Sequence, residues 1–181
     1  MCRRLAIAIG IAAGLLAMPL LAGCGASDDS TKVAEGEPLT LGQLEYNVVI
    51  SRFLNPDDTE DAGYLVKEPP LQGDQLYLGV FMQVANNSDS SAGLPLSFKV
   101  IDTQGQKYEP IASSSPYALP LGHKIGPGTA YPVPDSTAAV GPIEGSMVLF
   151  RIKQASTEDR PLELEIPSSA SGETGTVELD I

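Results

Sequence analysis

Residues 75–86, QLYLGVFMQVAN, constrain the fold more than any other stretch. Leu76, Leu78, Val80, Met82 and Val84 recur at every second position, while Tyr77, Phe81 and Ala85 fill the alternate positions around Gly79. Residues two apart share one face of a strand. A strand apolar on both faces must be covered on both, so this segment is predicted to be central in its sheet. The polar run Asn86–Ser91 ends it in a turn.

The same period recurs on either side. Leu44, Tyr46, Val48 and Ile50 alternate with Glu45, Asn47, Val49 and Ser51. Arg52 breaks the pattern and Phe53 resumes it on the other parity, which predicts a β-bulge at that point. Leu96, Phe98 and Val100 form a third strand face. Asp102–Gln106 follows as a hairpin turn, with Gly105 able to take a positive φ, and Lys107–Glu109 return along the partner strand. Ser113–Pro142 is rich in Pro, Gly and Ser and reads as loop, with a short strand near Tyr131–Val133. Gly145–Lys153 is a further strand, with Val148, Phe150 and Ile152 on one face and Met147 and Leu149 on the other. Gln154–Arg160 reads as one helical turn. Leu162, Leu164 and Ile166, then Val177, Leu179 and Ile181, mark two one-sided strands with acidic outer faces. No long stretch has a helical period. Seven or eight short strands joined by Gly, Pro and Asn turns predict an all-β sandwich over residues 39–181.

The first residues carry a different signal. Arg3 and Arg4 precede an apolar run from Leu5 to Leu21, and Ala22 and Gly23 are small residues ahead of Cys24. This is the layout of a secretory signal peptide. Leu21-Ala22-Gly23-Cys24 resembles the lipobox of bacterial lipoproteins, which implies removal of residues 1–23, acylation of Cys24 and a mature protein on the outer face of a membrane. An uncleaved transmembrane helix is the competing reading, but 17 apolar residues stand at the short limit for a span. Residues 24–38 read as a lipidated, flexible tether. Cys2 leaves with the leader, so Cys24 is the sole cysteine of the mature chain and no internal disulfide is available.

Charge excludes one class of partner. Lys and Arg number 11 against 23 Asp and Glu, a formal net charge of −12, and loss of Arg3 and Arg4 makes the mature chain more acidic still. Such a chain repels nucleic acid and anionic headgroups.

Four segments resemble a known type. Leu44–Asn55 (LEYNVVISRFLN), Gln72–Asp89 (QGDQLYLGVFMQVANNSD), Pro95–Pro110 (PLSFKVIDTQGQKYEP) and Gly145–Ile152 (GSMVLFRI) are similar to the telokin-like, immunoglobulin-like domain of uncharacterised bacterial lipoproteins. There, an Asn-Asn-Ser turn leads to a strand with a turn of the form hydrophobic-x-Asp-x-x-Gly-x-x-Tyr, matched here by Ile101, Asp102, Gly105 and Tyr108. A glycine-proline loop like Gly126-Pro127-Gly128 precedes the last core strand. The resemblance runs from Leu39 to Ile166. It implies an immunoglobulin-like sandwich without the inter-sheet disulfide, and it brings no catalytic residue.

Chemistry is sparse. His123 is the one histidine, and any Ser-His-Asp triad has to use it, yet no Gly-x-Ser-x-Gly elbow is present. One histidine and one acylated cysteine do not make a zinc site. Asp57, Asp58, Glu60 and Asp61 offer carboxylates to calcium, but they miss the calcium-loop spacing and read as a solvated acidic loop. Glu163, Glu165, Glu178 and Asp180 read as solvated outer faces. Direct pairing of the two strands would set like charges opposite each other, so these strands are expected apart, or relieved by Lys153 or Arg160. No phosphate loop is present, and no cofactor is expected.

The sequence therefore points to a non-enzymatic, lipid-anchored extracytoplasmic β-sandwich that contacts another protein or an envelope component. A small-molecule or solute-binding accessory lipoprotein is the alternative. The longest loops, Asn55–Pro70 and Ser113–Pro142, are the candidate binding surface. Tyr64, Tyr117, Leu119, His123 and Tyr131 are its candidate contacts, unless the apolar ones seal the ends of the sandwich.

Overall fold

The computed structural model describes residues 31–181. The leader, the Leu21–Cys24 motif and the first part of the expected tether lie outside the described residues. Twelve strands occur among the described residues: β1 (Thr31–Ala34), β2 (Pro38–Leu41), β3 (Leu44–Leu54), β4 (Gln75–Asn86), β5 (Ala92–Gly93), β6 (Lys99–Ile101), β7 (Lys107–Tyr108), β8 (Lys124–Ile125), β9 (Ala130–Tyr131), β10 (Ser146–Lys153), β11 (Leu162–Pro167) and β12 (Thr174–Leu179). Two single-turn helices, α1 (Thr59–Ala62) and α2 (Thr137–Val140), and a 3₁₀ turn at Gln154–Thr157 complete the chain. Four of the strands are two-residue pieces, among them β7 and β9 where strands were expected; β1 and β2 fall where none was expected.

The strands form two facing sheets. One has the order β1-β12-β11-β6-β7 and the other β10-β4-β3-β2, with β9 also on β4; β5 and β8 pair separately. The fold is thus an all-β sandwich. β4 is central, as its two apolar faces require. One face, with Leu78, Val80, Met82 and Val84, joins Tyr46, Phe98, Val100, Phe150, Leu164 and Val177 in the main core between the sheets. The other carries Tyr77 and Phe81, which join Leu54, Tyr64, Leu65, Met147 and Leu149 in a second core outside the sandwich. The long loops cover this outer face.

Several expectations shift. The bulge lies between Val48 and Ile50, upstream of Arg52. Ile50 therefore leaves the core face and is 38% exposed, while Ser51 turns inward. Leu96 is no part of a strand: it is 86% exposed, and Leu94 takes a core place instead. Pro95 lacks the N–H that a ladder needs at this point. The short strand expected at Tyr131–Val133 is Ala130–Tyr131, and α2 lies in the segment read as loop.

The largest correction concerns the expected tether at 24–38. Its second half is built into the sandwich. β1 pairs in parallel with β12, setting Thr31 opposite Gly175 and Val33 opposite Val177, and β2 pairs with β3 from Pro38 onward. Between them Glu35 ties the two sheets together. Its carboxylate accepts from Ser51 N at 3.0 Å, Ser51 Oγ at 2.5 Å and Asp180 N at 3.1 Å.

Candidate functional site

The acidic loop is the first candidate, and two of its four carboxylates already have structural work. Asp58 is the N-cap of α1: its Oδ1 accepts from Glu60 N at 2.8 Å and Asp61 N at 3.3 Å, meeting donors that a helix start leaves open. Asp61 is buried, contrary to a fully solvated loop. It pairs with Arg52 Nη2 at 2.5 Å and accepts from Asn55 N at 2.8 Å. Asp57 and Glu60 point to solvent. The four side chains expected together are thus divided between a cap, a buried ion pair and solvent. Among the described residues no group of three or more His, Cys, Asp or Glu side chains is placed to hold a metal.

The aromatic candidates divide similarly. Tyr64 is buried, with its ring 5.0 Å from Phe81 at 74° and 4.6 Å from Tyr117 at 59°. These are edge and tilted contacts of the kind aromatic pairs prefer. Burial pushes the Tyr64 hydroxyl above its ordinary pKa. Leu119 is buried in the main core. Tyr117 and Tyr131 are half-buried, the latter packed against the main core. Of the five only His123 is exposed, and its carbonyl accepts from Leu94 N at 2.8 Å. The structure does not gather these five residues into one surface.

The Asp-x-x-Gly-x-x-Tyr turn is held by hydrogen bonds of its own residues. Asp102 is buried, and its Oδ1 accepts from Gln104 N at 3.1 Å and Gln106 N at 2.8 Å. Gly105 takes φ +80°, which a side chain resists. Asp102 Oδ2 accepts from Ser156 Oγ at 2.6 Å, and Ser156 Oγ meets Tyr108 Oη at 2.6 Å. The motif therefore closes the β6–β7 turn and fastens it to the 3₁₀ turn. This buried hydroxyl–carboxylate pair has a tyrosine hydroxyl beside it where a triad needs an imidazole.

The outer faces of β11 and β12 depart from expectation. The two strands pair directly, with Glu163 opposite Glu178. Neither Lys153 nor Arg160 relieves them: the Arg160 guanidinium donates to Thr157 O instead. Relief comes from Lys32 on β1, whose Nζ lies 2.8 Å from Glu163 Oε1 and 2.9 Å from Glu178 Oε2. These contacts hold the ammonium above the usual lysine range.

A surface that the sequence reading missed lies beside this ladder. An open groove of about 530 Å³ is lined by Leu94, Pro95, Leu96, Glu109, Glu165 and Pro167, among others. Ser97 Oγ donates to the Glu109 carboxylate on its wall, and Lys99 stands opposite Glu165 across β6 and β11. Leu96, expected on a strand face with Phe98 and Val100, is instead the exposed apolar rim. Pro95 was the one signal in the sequence that Leu96 leaves the strand pattern.

The sequence matches no protein-family model and no curated protein. Solved structures do resemble it. An uncharacterised β-sandwich protein of Clostridium difficile superposes with a TM-score of 0.51 at 14% identity, covering 83% of this chain and 95% of that one. The secreted protein MPT63 of Mycobacterium tuberculosis does so at 0.50 and 13%, covering 82% and 97%. A candidate lipoprotein of Bacillus subtilis, ycdA, does so at 0.50 and 13%, covering 82% of this chain and 39% of that one. At such identities the shared property is the fold, and the chain is a β-sandwich of the kind these bacterial proteins share.

Proposed function

We propose that the chain is an exported, lipid-anchored sandwich of the telokin-like, immunoglobulin-like type, acting without catalysis as a protein-binding module on the outer face of a membrane. The Leu21-Ala22-Gly23-Cys24 tetrad supports export and acylation. The presence of a secreted protein and a candidate lipoprotein among its structural likenesses agrees with that placement. The diacylglyceryl group that the lipobox resemblance implies at Cys24 would supply the double signal that stable anchoring takes.

One observation carries the binding surface. Leu96 is 86% exposed at the rim of the open groove, with Leu94 and Pro95 behind it and Glu109 and Glu165 on the wall. A large exposed side chain contributes nothing to the core, whereas an apolar anchor edged by polar groups is what a protein interface uses. The groove is open to solvent, which suits a protein contact better than the enclosing of a solute.

The test is in-cell crosslinking of the full-length anchored protein followed by mass spectrometry. One dominant protein partner is expected with the wild type, lost in Leu96→Asp although that variant melts at the same temperature. Cys24→Ser separates partners that need the anchor. Unchanged capture by Leu96→Asp, or no specific partner, overturns the reading.

A further inference from the structure

β1 determines where the chain leaves the sandwich toward Cys24. Thr31 pairs with Gly175 at the start of β12, and the Ser168–Glu173 loop closes the β11–β12 hairpin beside it. Ser169 Oγ donates to Gly93 O at 2.5 Å, and Gln43 Nε2 to Ser90 Oγ at 2.8 Å. A Cβ placed on Gly42 would meet Ser168 Oγ at 3.4 Å. Thr31, Gly42–Gln43, Ser88–Gly93 and Ser168–Glu173 therefore form one end of the sandwich. The opposite end collects the start and finish of Asn55–Asp74, whose Tyr64–Leu65 portion folds back onto the outer sheet face, together with Asp102–Gln106 and Gln154–Arg160. There Gln154 N donates to Asp74 O at 2.7 Å and Thr103 N to Asp159 O at 3.1 Å.

Length and charge make the two ends unequal. Seven Cα steps separate Cys24 from Thr31, which reach at most ~25 Å when fully extended. The twelve residues of β4 already span about 36–40 Å. The attachment is thus shorter than the domain, and it holds one end. In the Gly42–Gln43, Ser88–Gly93 and Ser168–Glu173 loops only Asp89 and Glu173 are charged and the rest is mostly Ser and Gly, while Lys124, opposite Gly93, adds a cation at that end. The other end carries nine acids, Asp57, Asp58, Glu60, Asp61, Glu68, Asp74, Asp102, Glu158 and Asp159, against Lys67 and Arg160, and is strongly acidic. Within a Debye length of ~8 Å an anionic bilayer repels such an end.

We infer that the sandwich stands upright on an anionic bilayer, with the Gly42–Gln43, Ser88–Gly93 and Ser168–Glu173 loops toward the headgroups and the Asn55–Asp74 end pointing away; the Leu96 groove, which Ser168 and Ser169 also line, then opens on the flank at the membrane side. The inference rests on acylation of Cys24, proposed above.

Acylation blocks the sulfur of Cys24, so an introduced cysteine is the sole free thiol of the mature chain. Ala170→Cys and Ala155→Cys are exposed positions at the near and far ends. Each variant, acylated and full length, is spin-labelled and placed in phosphatidylglycerol vesicles containing a nickel-chelating lipid. Relaxation enhancement by the nickel is expected to be several-fold larger at position 170 than at 155. Equal enhancement, or more at 155, overturns the orientation. The mass of the N-terminal peptide keeps the two readings apart. An unmodified Cys24 overturns the anchor and the orientation together, whereas an acylated Cys24 with equal enhancements overturns the orientation alone.

Discussion

Glu163 and Glu178 stand directly opposite each other across β11 and β12, and a lysine from the other end of the chain holds them there. Like charges in this register repel. Lys32 is exposed, so its contribution is open to salt. Lys32→Met is expected to lower Tm, and the deficit should shrink between 0.1 M and 1 M salt, where the Debye length falls from ~10 Å to ~3 Å. Glu178→Gln added to Lys32→Met should recover part of the loss. Equal Tm values for the wild type and Lys32→Met at low salt would refute the role.

Asp102 organises a turn and a distant contact at once. Its removal leaves two backbone N–H groups and the Ser156 hydroxyl without their acceptor. Asp102→Ala is expected to cost roughly 2–4 kcal/mol in urea unfolding, since hydrogen bonds to a charged group contribute ~1.5–3 kcal/mol and orphaned buried donors add to the loss. Asp102→Asn keeps one acceptor oxygen and should cost less. A loss below ~0.5 kcal/mol for Asp102→Ala, the level of an ordinary surface change, would show that the turn holds without it.

Tyr64 tests whether the long loops belong to the fold. Tyr64→Ala removes a buried ring packed on Phe81 and Tyr117 and is expected to cost about 3–5 kcal/mol, the range for large aromatic truncations. Limited proteolysis should then cut within Asn55–Pro70. Tyr64→Phe keeps the ring and should stay within about 1.5 kcal/mol of the wild type. Proteolysis no faster in Tyr64→Ala would mean that the loop is held by other contacts.

Alkaline pH should unfold the protein through its tyrosines. Burial raises the pKa of Tyr46, Tyr64 and Tyr77 from the usual value near 10.0. The folded state keeps protons that the unfolded state releases above that value. Stability is therefore fully present below pH ~10 and falls as pH rises toward the folded pKa. Lys32, also raised, acts in the same direction. Urea midpoints from pH 7 to pH 11 should be level at first and decline past pH ~10; a midpoint that rises there contradicts this assignment.

Where side chains obey local rules, the sequence is readable. Gln75–Asn86 was recognisable because both its faces are apolar, and the turn at Asp102 because Asp and Gly each serve a specific backbone need. Leu96 and Ile50 were misplaced because parity alone cannot register a proline or a bulge one or two residues away. The Asn55–Pro70 loop looked solvated because Asp61 sits among exposed acids, and its partner Arg52 lies on a preceding strand. Lys32 was beyond local reading altogether. It meets Glu163 across 131 residues, and nothing in the composition of residues 31–38 distinguishes a strand from a tether.

The parallel pairing of β1 with β12 also sets an order of assembly. A chain made from its N-terminus presents β1 first and β12 last, so the strand nearest the start has no ladder partner until the final residues arrive. β2, β3 and β4 can pair as neighbours in the meantime, and β10 can join them. The opposite sheet closes only when Thr174–Leu179 is delivered, at the entropic cost of joining the two extremes of the domain. Until then the chain remains an incomplete sandwich, with β1 still lacking its ladder partner.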